Sequence, residues 1–167
     1  LISQVIEMVW YLVVVCRYRV ILTWTRYLDW VISTPVMLVS TALFFYHRRG
    51  RPIADVFASP FLYLSLAFNW IMLLLGYLAE RGVVRTTPAV GFGTLALVVS
   101  FATLAALSDR GDALSTALFW CIFVVWSLYG VAATLADVAK NIMYNGLDVV
   151  SKNVYGVFLL GYTLSIA

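Results

Sequence analysis

Charged residues are scarce in this chain. Asp, Glu, Lys and Arg make up 11% of its 167 residues, whereas 63% are hydrophobic. Soluble domains carry about 25% charged residues, so the composition excludes an ordinary soluble domain and indicates an integral membrane protein. The apolar runs are too long for membrane-spanning β-strands, which need only about 9–11 residues. The sequence therefore predicts an all-α, polytopic transmembrane helix bundle.

The sequence also lacks the features of a nucleic-acid or metal site. Its net charge is only +3, and the basic residues are scattered rather than arranged in a stripe, so nothing indicates nucleic-acid binding. The two cysteines, Cys16 and Cys121, both lie in apolar segments. They form neither a metal-ligand motif nor a convincing disulfide pair, and we expect them in the core.

Glycine, proline and clustered charges divide the chain into apolar segments. The predicted membrane segments cover roughly residues 1–18, 23–46, 57–79, 87–107, 113–135 and 139–166. The first is short, and the chain opens at Leu1 within apolar sequence, so we expect a preceding helix to be missing. Because the links are short, neighbouring helices should run antiparallel in a single bundle. The basic cluster at 48–51 favours a cytoplasmic position for that loop, although five basic residues fall on the opposite side.

A lysine lies in the middle of the last apolar segment. Lys152 follows Asp148 by four residues, which places both on one helix face. A charge at mid-membrane costs about 3 kcal/mol even on lenient scales, so such residues face inward and usually mark function. One interpretation is an ion pair that only locks helix packing. The other is a lysine made reactive by desolvation, able to form a Schiff base with a carbonyl compound.

The second segment adds another pair of opposite charges. Arg26 and Asp29 are three residues apart and share a helix face. With Asp148 and Lys152 they give two cations and two anions near the bundle interior, where opposite charges compensate one another. Such charges could serve only to join helices. Hydrogen-bonded uncharged residues would do so with less desolvation, and we therefore favour a relay or ligand site.

Aromatic and small residues recur at the level of these charges. Taken singly, each aromatic is more typical of packing or of a membrane interface. Flat aromatic walls with a glycine for clearance nevertheless suit a long, flat, apolar ligand. The residues placed at this level are Trp30, Asn69, Met72, Gly76, Trp126 and Tyr129.

Several of these strings resemble one family. Arg26-Tyr-Leu-Asp-Trp-Val-Ile-Ser-Thr-Pro35 resembles the third-helix signature of microbial (type 1) rhodopsins, and Leu147-Asp-Val-Val-Ser-Lys152 resembles their seventh-helix retinal-lysine motif. The sixth-helix and fourth-helix pocket walls have counterparts in 126–129 and 69–76. The match covers residues 26–167 in the right order, and strings such as 151–156 resemble the viral-rhodopsin branch.

The resemblance implies a fold and a cofactor. It implies a single seven-helix bundle over 1–167, with six helices visible, in which Lys152 carries all-trans retinal as a protonated Schiff base. Asp29 would be the main counterion and first proton acceptor, Asp148 the second counterion, and Arg26 would lie toward the extracellular side. The implied pocket residues are Trp30, Thr34, Met37, Met72, Gly76, Trp126 and Tyr129. The family also implies a non-enzymatic, multi-pass plasma-membrane protein that forms trimers or pentamers.

Departures from the family pattern bear on the transport activity. Archaeal proton pumps have a carboxylic proton donor eleven residues after the acceptor, and here that position is Ser40. Ser33 lies four residues after Asp29, and Asn69 replaces the aspartate that often pairs with the third-helix threonine. No glutamate pair for proton release is recognisable near 136–141. We therefore expect slow reprotonation from the cytoplasm.

Three functions remain open at this stage. The first is a light-driven outward proton pump, favoured by the intact acceptor arrangement. The second is a light-gated cation channel, favoured by the absent donor and by Glu7, a candidate gate residue in the first segment. The third is a photosensor that signals to a partner protein. We favour ion transport, with protons or other cations as the transported species and the pump slightly ahead.

Overall fold

The computed structural model describes residues 23–166, and the regular secondary structure of this part of the chain is all helical. Six α-helices run in chain order: α1 (Arg26–Arg48), α2 (Pro60–Glu80), α3 (Thr86–Ala105), α4 (Ala113–Ala132), α5 (Asp137–Asp148) and α6 (Tyr155–Ile166). A π-helical segment, Val149–Val154, joins α5 to α6 in one long span. Short 3-10 turns occur at Thr23–Thr25 and Ile53–Ala58. The predicted all-α class is confirmed.

Five spans within residues 23–166 are long and apolar enough to cross a membrane. They match five of the six predicted segments to within a few residues at each end, and the sixth, 1–18, lies outside the described residues. Pro60 occupies the first turn of α2, where its missing N–H costs nothing. Gly50 and Gly82 follow the ends of α1 and α2 with φ of +63° and +71°, the left-handed conformation that closes a helix.

The bundle reverses the usual distribution of polarity. Large apolar side chains such as Phe92, Leu95 and Val157 face outward and are more than half exposed, at 64%, 60% and 69%. Charged side chains lie inside, among them Arg26 and Lys152. A surface of this kind suits lipid, whereas water would penalise it. Consecutive helices pack against one another, most extensively α2 against α3, where the Ser65 and Ser100 hydroxyls lie 3.1 Å apart.

Asp112 and Arg49 join three helix ends at one face of the bundle. Its carboxylate accepts a hydrogen bond from the Ser115 backbone N–H at 3.0 Å, capping α4, and also accepts from Arg48 at the end of α1. Arg49 donates to the Leu107 carbonyl at 3.2 Å, just after α3. The Arg48 guanidinium and the Ser115 donors hold the pKa of Asp112 well below its ordinary value.

Asp112→Ala is expected to lower thermal stability more than Asp112→Asn, by about 1 kcal/mol, because asparagine still caps the helix. A depressed carboxyl pKa stabilises the fold above the unfolded-state value of about 4 and loses that contribution as pH falls below it. The melting difference between wild type and Asp112→Asn should therefore shrink when the purified protein is unfolded at pH 3 instead of pH 7. An unchanged difference would contradict the ionic contribution.

Candidate functional site

Lys152 is buried between two carboxylates. Its ammonium hydrogen-bonds to Asp29 Oδ2 of α1 and lies 3.7 Å from Asp148 Oδ1, one turn earlier on its own helix. The lysine is 1% exposed, and the two aspartates are 4% and 2% exposed. Arg26 supplies the second cation, with Nη1 at 3.3 Å from Asp148 Oδ2. The buried charges therefore balance as two cations and two anions, which makes their burial tolerable.

The two carboxylates have unequal surroundings. Asp148 accepts hydrogen bonds from Trp30 Nε1 at 3.2 Å and from the Tyr129 hydroxyl at 2.7 Å, in addition to Arg26. Asp29 Oδ1 is buried and has no hydrogen-bond partner among residues 23–166, and the same holds for the neighbouring Ser33 hydroxyl. Donors that surround a carboxylate favour its charged form. Asp29 is thus the carboxylate with an oxygen available for an incoming proton.

The backbone around Lys152 departs from α-helical geometry. Val149–Val154 form a π-helical turn, a feature that is rare elsewhere and frequent at functional sites. Within it Ser151 and Lys152 both point inward, at 5% and 1% exposure, while Val150 is 43% exposed. The wider turn lets two adjacent side chains share the interior. The sequence predicted a regular helix here, and no residue in 149–154 signalled the difference.

A cavity extends from Lys152 into the bundle between α1, α2, α3 and α4. Its wall is mostly apolar and aromatic, and Lys152 provides a reactive amine on it. All eight residues predicted to bind the cofactor line it: Trp30, Thr34, Met37, Met72, Gly76, Trp126, Tyr129 and Lys152. The other three predicted residues, Arg26, Asp29 and Asp148, are not among its lining residues. They form the charge cluster beside it.

The cavity walls are held by specific contacts. Trp30 meets the Tyr129 and Tyr144 rings edge to face at 5.2 and 5.1 Å, and Trp126 meets Phe101 at 5.4 Å. At Gly76 a Cβ atom would lie 2.5 Å from the Tyr27 hydroxyl, so only glycine leaves room for that ring. The Asn69 amide donates to the Thr34 hydroxyl at 2.9 Å, joining α2 to α1.

Comparison with known proteins agrees with this architecture. The model of the family described as bacteriorhodopsin-like protein matches residues 3–166. The chain belongs to this family. Its fold is similar to the crystal structure of viral rhodopsin OLPVRII, with a TM-score of 0.86 and 27% identity over 99% of this chain and 79% of that one. No curated protein matches the chain.

The family membership confirms the predicted microbial rhodopsin and its resemblance to the viral branch. It also makes the chain a multi-pass integral membrane protein of a family that binds retinal through a lysine. The cavity fits such a group, because an apolar, aromatic-walled cavity lined by a buried lysine suits a long apolar aldehyde. Within this rhodopsin's described residues, Lys152 is the lysine that lines the cavity.

The structure adds residues to the site that the sequence did not single out. α3 contributes a wall of small and apolar side chains, and Tyr27, Tyr144 and Ser151 complete the surface near the charges. The α3 residues are Thr86, Ala89, Val90, Gly93, Thr94 and Leu97. The signal in the sequence was the glycine and threonine pair at 93–94, in the middle of an uncharged helix. It was missed because no charge accompanies it.

A second buried ion pair lies at the Arg26 side of the bundle. Glu80, the last residue of α2, accepts hydrogen bonds from the Lys140 ammonium at 3.0 and 3.1 Å, and Asp137 lies 3.3 Å from the same ammonium. Two turns beyond Asp137 along α5, the exposed Asn145 accepts a hydrogen bond from Arg26 at 2.5 Å. No glutamate pair was predicted near 136–141. The glutamate found there, Glu80, comes from a different helix, and the second carboxylate at this ammonium is Asp137 of α5.

Proposed function

We propose that this rhodopsin is a retinal-binding, light-activated ion-transport protein, and that it acts as an outward proton pump with slow reprotonation. Lys152 would carry all-trans retinal. When bound, the cofactor supplies visible-light absorption and a photoisomerisation that displaces the Lys152 N–H. The remaining chemistry belongs to the side chains around that nitrogen.

The observation that carries the proposal is the difference between the two carboxylates at Lys152. Asp148 is held by Trp30, Tyr129 and Arg26, all of which stabilise its charge. Asp29 contacts the Lys152 nitrogen and keeps one oxygen without a partner in the described chain. A proton that leaves the nitrogen therefore goes to Asp29, because proton transfer needs an acceptor in hydrogen-bond reach.

The charge cluster then sets the direction of transport. Neutralising Asp29 leaves Arg26 and Asp148 as a balanced pair on the Arg26 side of Lys152. The polar residues of α5 lead from that pair toward Lys140 and Glu80 at the bundle end. On the other side of Lys152 the position of a carboxylic donor is Ser40. If the loop at 48–51 is cytoplasmic, release is outward and uptake is slow.

A light-gated cation channel is the second candidate. It is favoured by the same polar side chains of α5, because polar residues at membrane depth often mark ion pathways. Glu7, proposed as a gate in the sequence analysis, lies outside the described residues. A sensor would use the same site without net transport.

Whole-cell photocurrent measured against voltage, with all-trans retinal supplied, tests the proposal. A pump gives outward current at zero driving force that does not reverse. Current that reverses near a cation equilibrium potential would replace the pump with the channel. A visible absorption band without current would leave a sensor, and no band at all would contradict retinal binding.

The proposal includes a plasma-membrane location and assembly into a homo-oligomer, a trimer or pentamer. The outward apolar faces of the bundle, which include Trp120 and Phe92, provide surface that lipid or a second copy can cover. Mass measurement in native detergent micelles or nanodiscs would count the subunits. A monomer at every protein concentration would contradict the oligomer.

A further inference from the structure

Three hydroxyl groups meet on the side of Lys152 away from Arg26. The Tyr155 hydroxyl lies 2.9 Å from Ser40 Oγ and 2.7 Å from Thr41 Oγ1. It also lies 3.2 Å from the carbonyl oxygen of Met37, to which it can donate. Tyr155 belongs to α6 and the other three residues to α1, so this hydroxyl cluster links the helix that follows Lys152 to the helix that carries Asp29.

The hydroxyl cluster is closed with respect to protons. Ser40 and Thr41 both donate to the Met37 carbonyl, at 2.9 and 2.8 Å. Each hydroxyl has one proton to give, and each has an acceptor within the cluster. None of the three groups is a carboxylic acid, and tyrosine ionises only near pH 10 in water. The cluster therefore has no proton to release at neutral pH.

The position of the hydroxyl cluster makes it a barrier. Tyr155 follows Lys152 by three residues and is 6% exposed, and the Met37 side chain lines the cavity while its carbonyl holds the hydroxyls. Beyond it, Phe44 packs against Phe158 and Tyr162 with ring centroids 5.9 and 4.9 Å apart. Among residues 23–166, these aromatic rings and then the hydroxyl cluster lie between Lys152 and the end of the bundle on this side.

We propose that Tyr155 is a positioning residue that latches α6 to α1 and keeps water away from Lys152 on the Ser40 side. This inference rests on the proposed function. It adds a cause for slow reprotonation: the latch must open before a proton can reach the Lys152 nitrogen. The absence of a carboxylic donor at Ser40 is then only part of the reason.

Tyr155→Phe tests the latch because it removes one hydroxyl and keeps the ring. Ser40 and Thr41 remain satisfied by the Met37 carbonyl, so the variant should fold. The Lys152 nitrogen should regain its proton about fivefold faster after a light flash, the factor that corresponds to one net hydrogen bond. The rate of this reprotonation should also rise as pH falls, since protons would then arrive from bulk water. Thr41→Val should act in the same direction.

The matched control is Tyr46→Phe, which changes a buried tyrosine of α1 that lies outside the hydroxyl cluster. It should leave the rate of reprotonation unchanged. A proton relay through the hydroxyls predicts the opposite sign, because Tyr155→Phe and Thr41→Val would then slow reprotonation. If the Lys152 nitrogen of Tyr155→Phe regains its proton no faster than in wild type, and the visible band is normal, the latch is overturned and the proposed function stands.

Amide hydrogen exchange in the retinal-free protein gives an independent readout. Peptides that cover 152–158 should exchange faster in Tyr155→Phe than in wild type or Tyr46→Phe, because the latch holds the start of α6. Equal exchange in all three proteins overturns the latch even if the protein binds no retinal. Failure of the proposed function, seen as a missing absorption band, is thus distinguishable from failure of the latch.

Discussion

Lys152→Ala is expected to abolish both the visible absorption band and the photocurrent. Alanine has no amine to bond a carbonyl compound, and no other lysine of the described chain lines the cavity. Covalent attachment is an all-or-none requirement, so the loss should be complete and should not be restored by more retinal. Absorption spectra of the purified variant, taken after incubation with all-trans retinal, measure it directly.

Lys140→Ala is the matched control for this loss. It also removes a buried ammonium from a carboxylate, Glu80, but Lys140 itself lies near the bundle end and is not among the residues that line the cavity. The band should survive in this variant. A band that persists in Lys152→Ala, or that disappears equally in both variants, would contradict the assignment of Lys152.

Lys152→Ala should also destabilise the retinal-free protein. Removing Lys152 leaves Asp29 as a buried anion without its hydrogen-bonded cation, and breaking a buried pair costs about 3–5 kcal/mol. Adding Asp29→Asn to Lys152→Ala should recover most of that loss, since the stranded charge disappears. Thermal unfolding of the single and double variants without retinal checks this, and an additive or greater loss in the double variant would contradict it.

Local spacing was sufficient to predict much of the charge cluster. Asp148 and Lys152 are four residues apart on one helix, and their shared face follows from helix geometry alone. The scarcity of charge elsewhere made these residues conspicuous. The helix bounds were predictable for a similar reason, because glycine, proline and charge clusters interrupt the apolar runs.

The pairing of charges between helices could not be predicted in this way. Arg26 and Asp29 share a face of α1, yet Arg26 pairs with Asp148 and Asp29 pairs with Lys152, across more than a hundred residues of sequence. Which cation meets which anion depends on the axial register and rotation of two packed helices, and single-helix periodicity contains neither. The Glu80 and Lys140 pair escaped prediction for the same reason.

The hydroxyl cluster is another feature that could not be predicted from the sequence. In the sequence, Ser40 stands out only because archaeal proton pumps have a carboxylic acid at that position, and Tyr155 is one of many aromatic residues. Their contact, at 2.9 Å, gives the serine a structural partner that no spacing rule supplies. Neutral hydroxyls are common in membrane helices, so composition does not mark those that meet.

Asp29→Asn is expected to reduce the transport current by at least about 100-fold, the usual minimum for loss of a positioned proton acceptor. The amide keeps the size of the side chain and can still accept a hydrogen bond from Lys152, but it takes up no proton near neutral pH. Asp29→Glu should retain part of the current, because a carboxylic acid remains within reach of the nitrogen.

Asp148→Asn separates the acceptor role from charge balance. Its carboxylate is already engaged by Trp30, Tyr129 and Arg26, so its removal should distort the cluster without removing the acceptor. We expect a measurable photocurrent in Asp148→Asn and almost none in Asp29→Asn, at equal amounts of protein with a visible band. The reverse pattern would assign proton acceptance to Asp148. Both substitutions remove one negative charge beside the same lysine, so the expected contrast comes from the different surroundings of the two carboxylates: Asp29 hydrogen-bonds to Lys152, whereas Asp148 pairs with Arg26 and lies 3.7 Å from the lysine.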